Sequence, residues 1–273
     1  MLKIHFKIAW RNITSHKTST LVNILGLALG IASCLVIYLI AHFELSYDNF
    51  HPGKENIYRI VTDMNSPRGQ DHASNVPAAA PIAIRNELAG MQDLAIFNNY
   101  YANVTIREDS TVLRRFPIPN FREKSSDIII AEPTYFDIFQ YRWLAGNPAT
   151  ALKEPFKVVL TESNARTYFG HRPLQDIINR TIIYNDSLTV AVSGIVKDFP
   201  VNTDFYFNDF ISFSTASHSF LKDEFSSGGW TGGSTATQIF VKLHKGTTAA
   251  SIDNRLVGLV QKHLPDGGGR KTF

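Results

Sequence analysis

The chain has 273 residues, a net charge of +3, and 44% hydrophobic residues against 19% charged ones. A chain of this make-up can bury a core, which excludes wholesale disorder, and its single cysteine excludes a disulfide framework or a cysteine-rich zinc module. The positive charge sits at the N-terminal tip: residues 1–43 hold Lys3, Lys7, Arg11 and Lys17 and no acidic residue, while the remainder holds 23 Lys and Arg against 24 Asp and Glu, a distribution that argues against a nucleic-acid partner.

Residues 1–17 read as a basic amphipathic segment. Leu2, Phe6, Ala9, Trp10 and Ile13 fall on one helical arc and Lys3, Lys7 and Arg11 on a neighbouring stripe, which suits a helix lying in a membrane interface. Ile4 and Ile8 interrupt the pattern, so a basic tail without fixed structure is the other reading.

Residues 18–47 read as a transmembrane helix. From Thr18 to Phe43 there is no Lys, Arg, Asp or Glu. Leu21 to Phe43 would reach roughly 34 Å as a helix, enough for a hydrocarbon layer of about 30 Å. Its twelve Leu, Ile and Val residues favour insertion by about 4–7 kcal/mol at most. The basic flank, Lys3, Lys7, Arg11 and Lys17, predicts a cytoplasmic N-terminus and places the residues after about 47 outside. A buried core helix is disfavoured by the length of the run. A cleaved signal peptide is disfavoured because the apolar run continues past any cleavage site. Ile31–Cys34 looks like a lipobox, but apolar residues follow the cysteine where a lipoprotein would begin a polar tether. Gly26 and Gly30, extended by Ala28 and Ala32, form a small-residue pattern for close helix packing in lipid.

Beyond the span, short strands and helices alternate. Strands are expected at Ile57–Val61, Leu94–Tyr100, Asn103–Arg107, Val112–Pro117, Ile128–Ala131, Thr181–Tyr184, Leu188–Val196, Phe207–Phe213 and Thr237–Leu243, where Ile239, Val241 and Leu243 alternate to one face. Helices are expected from Pro81 to Ala89, near Thr134–Phe139, from a Thr161 cap to Phe169, and through Ile252, Leu256, Leu259 and Val260, stopped by Pro265 ahead of a flexible Gly267–Gly269 exit. This mixture predicts an α+β domain.

Chemistry is sparse. There is no P-loop, HExxH, GxSxG or CxxC motif, and Gly228–Gly233 lacks the lysine of a phosphate loop. No catalytic, cofactor-binding or metal residues are predicted. Glu44, Asp48 and His51 have metal-like spacing on a continued helix, although a solvated turn before Pro52–Gly53 fits them as well. Tyr100–Tyr101, Tyr135–Phe136 and Phe205–Phe207 could line an apolar surface, but such pairs are more often core.

Several pieces together carry a resemblance: Ala9–Asn12, Asn23–Leu27, Phe43–Asp48, Pro133–Asp137, Leu160–Ala165, Gly194–Pro200 and Phe207–Phe210. With them the chain resembles the N-terminal part of bacterial ABC-transporter permeases of the MacB/FtsX type, particularly those of Bacteroidota. The resemblance implies a first membrane helix, then an extracytoplasmic domain (48–273) with porter-like and sabre-like lobes, then three further membrane helices. It implies a permease dimer working with a separate cytoplasmic ABC ATPase, for efflux or mechanotransmission, sometimes with periplasmic partner proteins. Nothing like the later helices or the ATPase-gripping loop follows, so the chain is expected to be an N-terminal portion that alone transports nothing.

Three expectations follow. The membrane helix should run unbroken to about Tyr47, with Glu44, Leu45, Tyr47 and Asp48 coupling it rigidly to the outer domain. One lobe should comprise about 57–101 and 188–265, with a second, about 103–184, inserted between its halves. A single-pass binding or sensor domain without an ATPase is the alternative.

Overall fold

A computed structural model describes residues 2–66, 69–108, 111–118, 126–199, 202–222, 229–230, 237–264 and 271–272. They fall into two units, residues 1–49 and 50–273. The first holds α1 (Leu2–Ser15) and α2 (Lys17–Glu44). His16, with φ −117° and ψ 58°, separates them.

In the second unit β1 (Ile57–Ile60), β2 (Thr62–Ser66) and β3 (Gly69–Ala73) lead to α3 (Ala80–Glu87). Next come β4 (Met91–Asn99), β5 (Val104–Glu108), β6 (Thr111–Phe116), β7 (Ile128–Ala131), α4 (Thr134–Phe139) and β8 (Trp143–Gly146). They are followed by β9 (Lys157–Thr161), α5 (Glu162–Phe169), β10 (Thr181–Tyr184) and β11 (Leu188–Val196). The chain continues with β12 (Asp209–Ser212), α6 (Ser214–Ser217), β13 (Thr237–Leu243), α7 (Ala249–His263) and β14 (Lys271–Thr272).

Eleven strands form one mixed sheet in the order β1-β13-β4-β7-β12-β9-β11-β10-β5-β6, with β8 also paired to β11. The β9–β11 and β7–β12 pairs are parallel and the others antiparallel. A smaller sheet runs β14-β2-β3. The segments expected as separate lobes share the large sheet: β4, from the first, lies beside β7 from the second, and β12 lies between β7 and β9.

Successive side chains of a strand point to opposite faces, and this sorts the core. Leu94 and Ile96 of β4 face a cluster with Ile239, Val241 and Leu243 of β13 and Ile252, Leu256 and Leu259 of α7. Ala95 and Phe97 face an aromatic cluster around α4 instead. Likewise Val158 and Leu160 of β9 join one core, with Tyr168, Ile182 and Tyr184, while Val159 joins the aromatic one.

The helices obey their sequence signals. Thr161 caps α5, its side chain accepting from the Asn164 amide, and Thr248 caps α7 through the Ser251 amide. Each cap satisfies an amide that the helix leaves unbonded, worth about 1 kcal/mol. Lys262 and His263, in the last turn of α7, reach Glu87 of α3 at 2.7 and 3.0 Å. These two hydrogen bonds hold the exposed Glu87 carboxyl below the usual range. Pro265 and Gly267–Gly269 lie outside the described residues.

Where β8 meets β11, Gly146 stands opposite Gly194. Gly146 has φ +85°, and a Cβ there would overlap the Ser193 carbonyl oxygen; a Cβ at Gly194 would overlap the Trp143 ring. Gly146→Ala should therefore cost about 2–3 kcal/mol, combining left-handed strain with backbone displacement. Chemical unfolding of the variant checks this; a loss below about 0.5 kcal/mol would refute the close approach.

Candidate functional site

α2 is long and apolar enough to cross a membrane. At 1.5 Å per residue its 28 residues span about 42 Å. None of its side chains is buried. Gly26 and Gly30 share one face, and a Cβ on either would meet nothing within 4 Å. Ala28 and Ala32 are exposed but, two residues on, lie about 200° further round the helix. The four thus make two small faces rather than one. Ser33, between these turns, donates to the Leu29 carbonyl at 2.8 Å, so its hydroxyl is satisfied within the helix. On α1, Lys3, Lys7 and Arg11 follow a four-residue spacing and are exposed, as are Phe6 and Trp10. Lys17 begins α2.

The helix does not run to Tyr47. It ends at Glu44, and turns follow to Phe50. The Leu45 amide still bonds to Ala41, but those of Ser46 and Tyr47 reach only three residues back, to Phe43 and Glu44. Two polar side chains enforce the stop: Ser46 Oγ donates to the Phe43 carbonyl, and Asn49 Nδ2 to the Leu45 carbonyl. Both take acceptors that a continuing helix would need. Asp48 then adopts φ +53°. Leu45, Tyr47 and Asp48 therefore lie in a turn after Glu44, the last residue of the helix, and Glu44, Asp48 and His51 do not share a helix face.

The outer unit begins with Phe50 and His51, and the His51 ring is 5% exposed. It lies 4.9 Å from Phe199, 5.3 Å from Phe139 and 5.4 Å from Phe205, mostly edge to face. Phe199 also contacts Phe50 at 4.9 Å and stacks on Tyr141 at 3.7 Å. Tyr141 in turn meets Tyr135, Phe136 and Phe210. The start of the outer unit is thus wedged into an aromatic cluster drawn from α4, the loop after β11, and β12. Tyr100, Tyr135, Phe136 and Phe207 are buried, whereas Tyr101 and Tyr206 are partly exposed.

A polar knot is built from three of the sequence pieces singled out above. Asp209 is fully buried. Its carboxylate accepts from Tyr184 Oη at 2.6 Å, Asn164 Nδ2 at 2.7 Å and Tyr168 Oη at 2.9 Å. Burial pushes its pKa up to about 6, outweighing the three donors, which pull it down. The same burial, with the nearby carboxylate, raises both phenols. Thr161 bonds to Asn208 through both main chain and side chain. Ser163 bonds to the Asp198 carboxylate through its amide and hydroxyl. The burial of Asp209 and His51 has no local signature, because their surroundings come from segments distant in the chain. Of Gly228–Gly233, Gly229 and Trp230 are described; Trp230 stacks on His263 at 4.5 Å.

Among the described residues no group of three or more His, Cys, Asp or Glu could hold a metal ion.

The family model described as MacB-like periplasmic core domain matches residues 20–259. Among solved structures, a domain of a permease protein from Porphyromonas gingivalis is 18% identical, covers 82% of this chain and 90% of its own, and has a TM-score of 0.64. The periplasmic region of MacB from Actinobacillus actinomycetemcomitans is 17% identical over 79% of this chain and 86% of its own, with a TM-score of 0.49. The extracellular domain of the noncanonical ABC-type transporter YknZ from Gram-positive bacteria is 12% identical over 79% and 98%, with a TM-score of 0.47. No curated protein matches the chain. At such identities the first of these structures speaks for a shared fold of the outer unit.

Proposed function

This chain belongs to the MacB-like periplasmic core domain family of ABC transporter permeases, and we propose from that premise that it couples a cytoplasmic ATPase to movement outside the membrane. In this reading α2 spans the inner membrane once, with Lys3, Lys7, Arg11 and Lys17 holding the N-terminus in the cytoplasm. Residues after about 47 form the periplasmic domain. The chain itself is non-catalytic, and ATP hydrolysis resides in a separate ABC ATPase. Gly26 and Gly30, or Ala28 and Ala32 on the other face, offer close-packing positions to neighbouring membrane helices, including those of a second permease copy. Periplasmic proteins would receive the movement.

One observation carries this reading: a single family match begins inside the apolar helix, at residue 20, and ends inside α7, at residue 259. Helix and outer domain are thus parts of one inherited unit. The backbone passes from one to the other through the turn residues that follow Glu44. Because the helix stops at Glu44, movement is passed by these residues and not by a continuous rod.

The test uses inner-membrane vesicles carrying a permease subunit that contains this chain, together with its cognate ATPase. Cysteine reporters at Lys3 and Ser74 should label from opposite sides of the membrane. The ATPase should co-purify with the chain, and ATP with vanadate should change the labelling rate at Ser74 at least threefold. Labelling of both positions from one side, or an unchanged rate with the ATPase bound, would overturn the proposal.

A further inference from the structure

The face of the large sheet that carries α3 and α7 holds a cavity of about 640 Å³, within the range of small-molecule sites. Its walls include Ile82 of α3, Ile96 and Asn98 of β4, Phe213 beyond β12, and Trp230. Two features set it apart from a packing defect.

The first is Asn98. Strand alternation puts it on the face of Leu94 and Ile96, where an apolar side chain would be expected. It is 1% exposed, and its Oδ1 has no hydrogen-bond donor. Leaving such an acceptor unsatisfied costs about 1–3 kcal/mol, and buried polar groups rarely go without a partner. The second is Ile82, 66% exposed on a helix whose neighbouring Pro81, Ala83 and Ile84 are buried. An apolar side chain is thus presented to the cavity rather than to the core.

The charged groups at the rim are engaged: Arg85 with Glu132, Glu87 with both Lys262 and His263, and Lys222, which also lines the cleft, in an interaction of its own. His263 stacks on Trp230 and closes that wall. None of these groups is left without a partner to select an ion.

We propose that this cleft binds a small, uncharged amphipathic molecule, whose apolar body lies against Ile82, Ile96, Phe213 and Trp230 and whose N–H or O–H donates to Asn98 Oδ1. The cleft uses neither the membrane helix nor an ATPase, so its failure would leave the transport reading untouched.

The probes are benzamide and N,N-dimethylbenzamide, which share a ring and a carbonyl but differ in the N–H donors. Each is titrated against the full chain in detergent by saturation-transfer NMR, with protein-free micelles subtracted. Benzamide should bind at least tenfold more tightly than its dimethyl analogue, the worth of one hydrogen bond to a buried acceptor. Asn98→Leu should remove that preference. Ile82→Asp, at an exposed position that leaves the core intact, should weaken benzamide at least tenfold. A wild-type chain that binds neither probe, or both equally, overturns the proposal. So does a preference that survives Asn98→Leu or binding unaffected by Ile82→Asp.

Discussion

Asp209→Ala should lose about 3–5 kcal/mol of folding free energy, the range for removing one member of a buried charged network. The substitution leaves the Tyr168 and Tyr184 hydroxyls and the Asn164 amide, all now bonded to the carboxylate, without their acceptor. Asp209→Asn keeps the shape, and a phenol hydroxyl can turn to accept from the new amide, so its cost should be smaller. The pair also exposes a pH dependence. The folded-state pKa of Asp209 is raised to about 6 from an ordinary value of 3.8. The folded state therefore holds this proton more tightly than the unfolded chain. Its contribution is fully present below about pH 4, is lost as pH rises to about 6, and changes by about 3 kcal/mol in all. Asp137, also raised by burial, adds in the same direction. Glu87 and Glu108, held low by their hydrogen-bonded cations, act oppositely, losing stability as pH falls through their depressed range. The difference between wild type and Asp209→Asn isolates the one residue. Urea unfolding across pH 4–7 measures it; parallel curves for the two proteins would refute the burial assigned to this carboxyl.

Phe199→Ala should cost about 2–3 kcal/mol, below the range for a fully buried aromatic because Phe199 is only partly buried. Its ring is the one that touches Phe50, His51 and Tyr141 together. The loss should therefore show first where the chain enters the domain. Hydrogen exchange at residues 50–60 should rise at least tenfold, while β5 and β10, whose buried residues belong to the other core, change little. Phe199→Leu, which keeps much of the volume, should recover more than half of the stability. In membranes with the ATPase, Phe199→Ala should leave nucleotide turnover in place and abolish the response at Ser74. Uniform exchange across the domain would show a general weakening instead of a released aromatic cluster.

How far these features could be read in advance depends on how local their causes are. The alternation of β13 and the helical spacing of α7 are properties of consecutive residues, and both elements lie where the pattern put them. The Thr161 cap is equally local. β8 and β9 gave weaker signals, being four- and five-residue runs whose identity depends on partners far along the chain. The reach of the membrane helix was overestimated because apolar length says when a helix can continue and not when Ser46 and Asn49 will take its last carbonyls. His51 was weighed as a ligand on its spacing to Glu44 and Asp48; its phenylalanine neighbours come from α4 and the segments between β11 and β12. Asp209 lay inside a telling sequence piece, but its burial needs the phenols of α5 and β10.

The strand order also governs how this domain can be made. β1 pairs with β13, so the first strand of the outer unit to be synthesised waits unpaired until residue 243 has followed. β12 closes the gap between β7 and β9 in the same way. Synthesis is vectorial while assembly is not, and an apolar stretch such as Ile128–Ala131 must be shielded during the interval. Truncating the chain before β12 should thus yield aggregated or degraded protein instead of a smaller stable core.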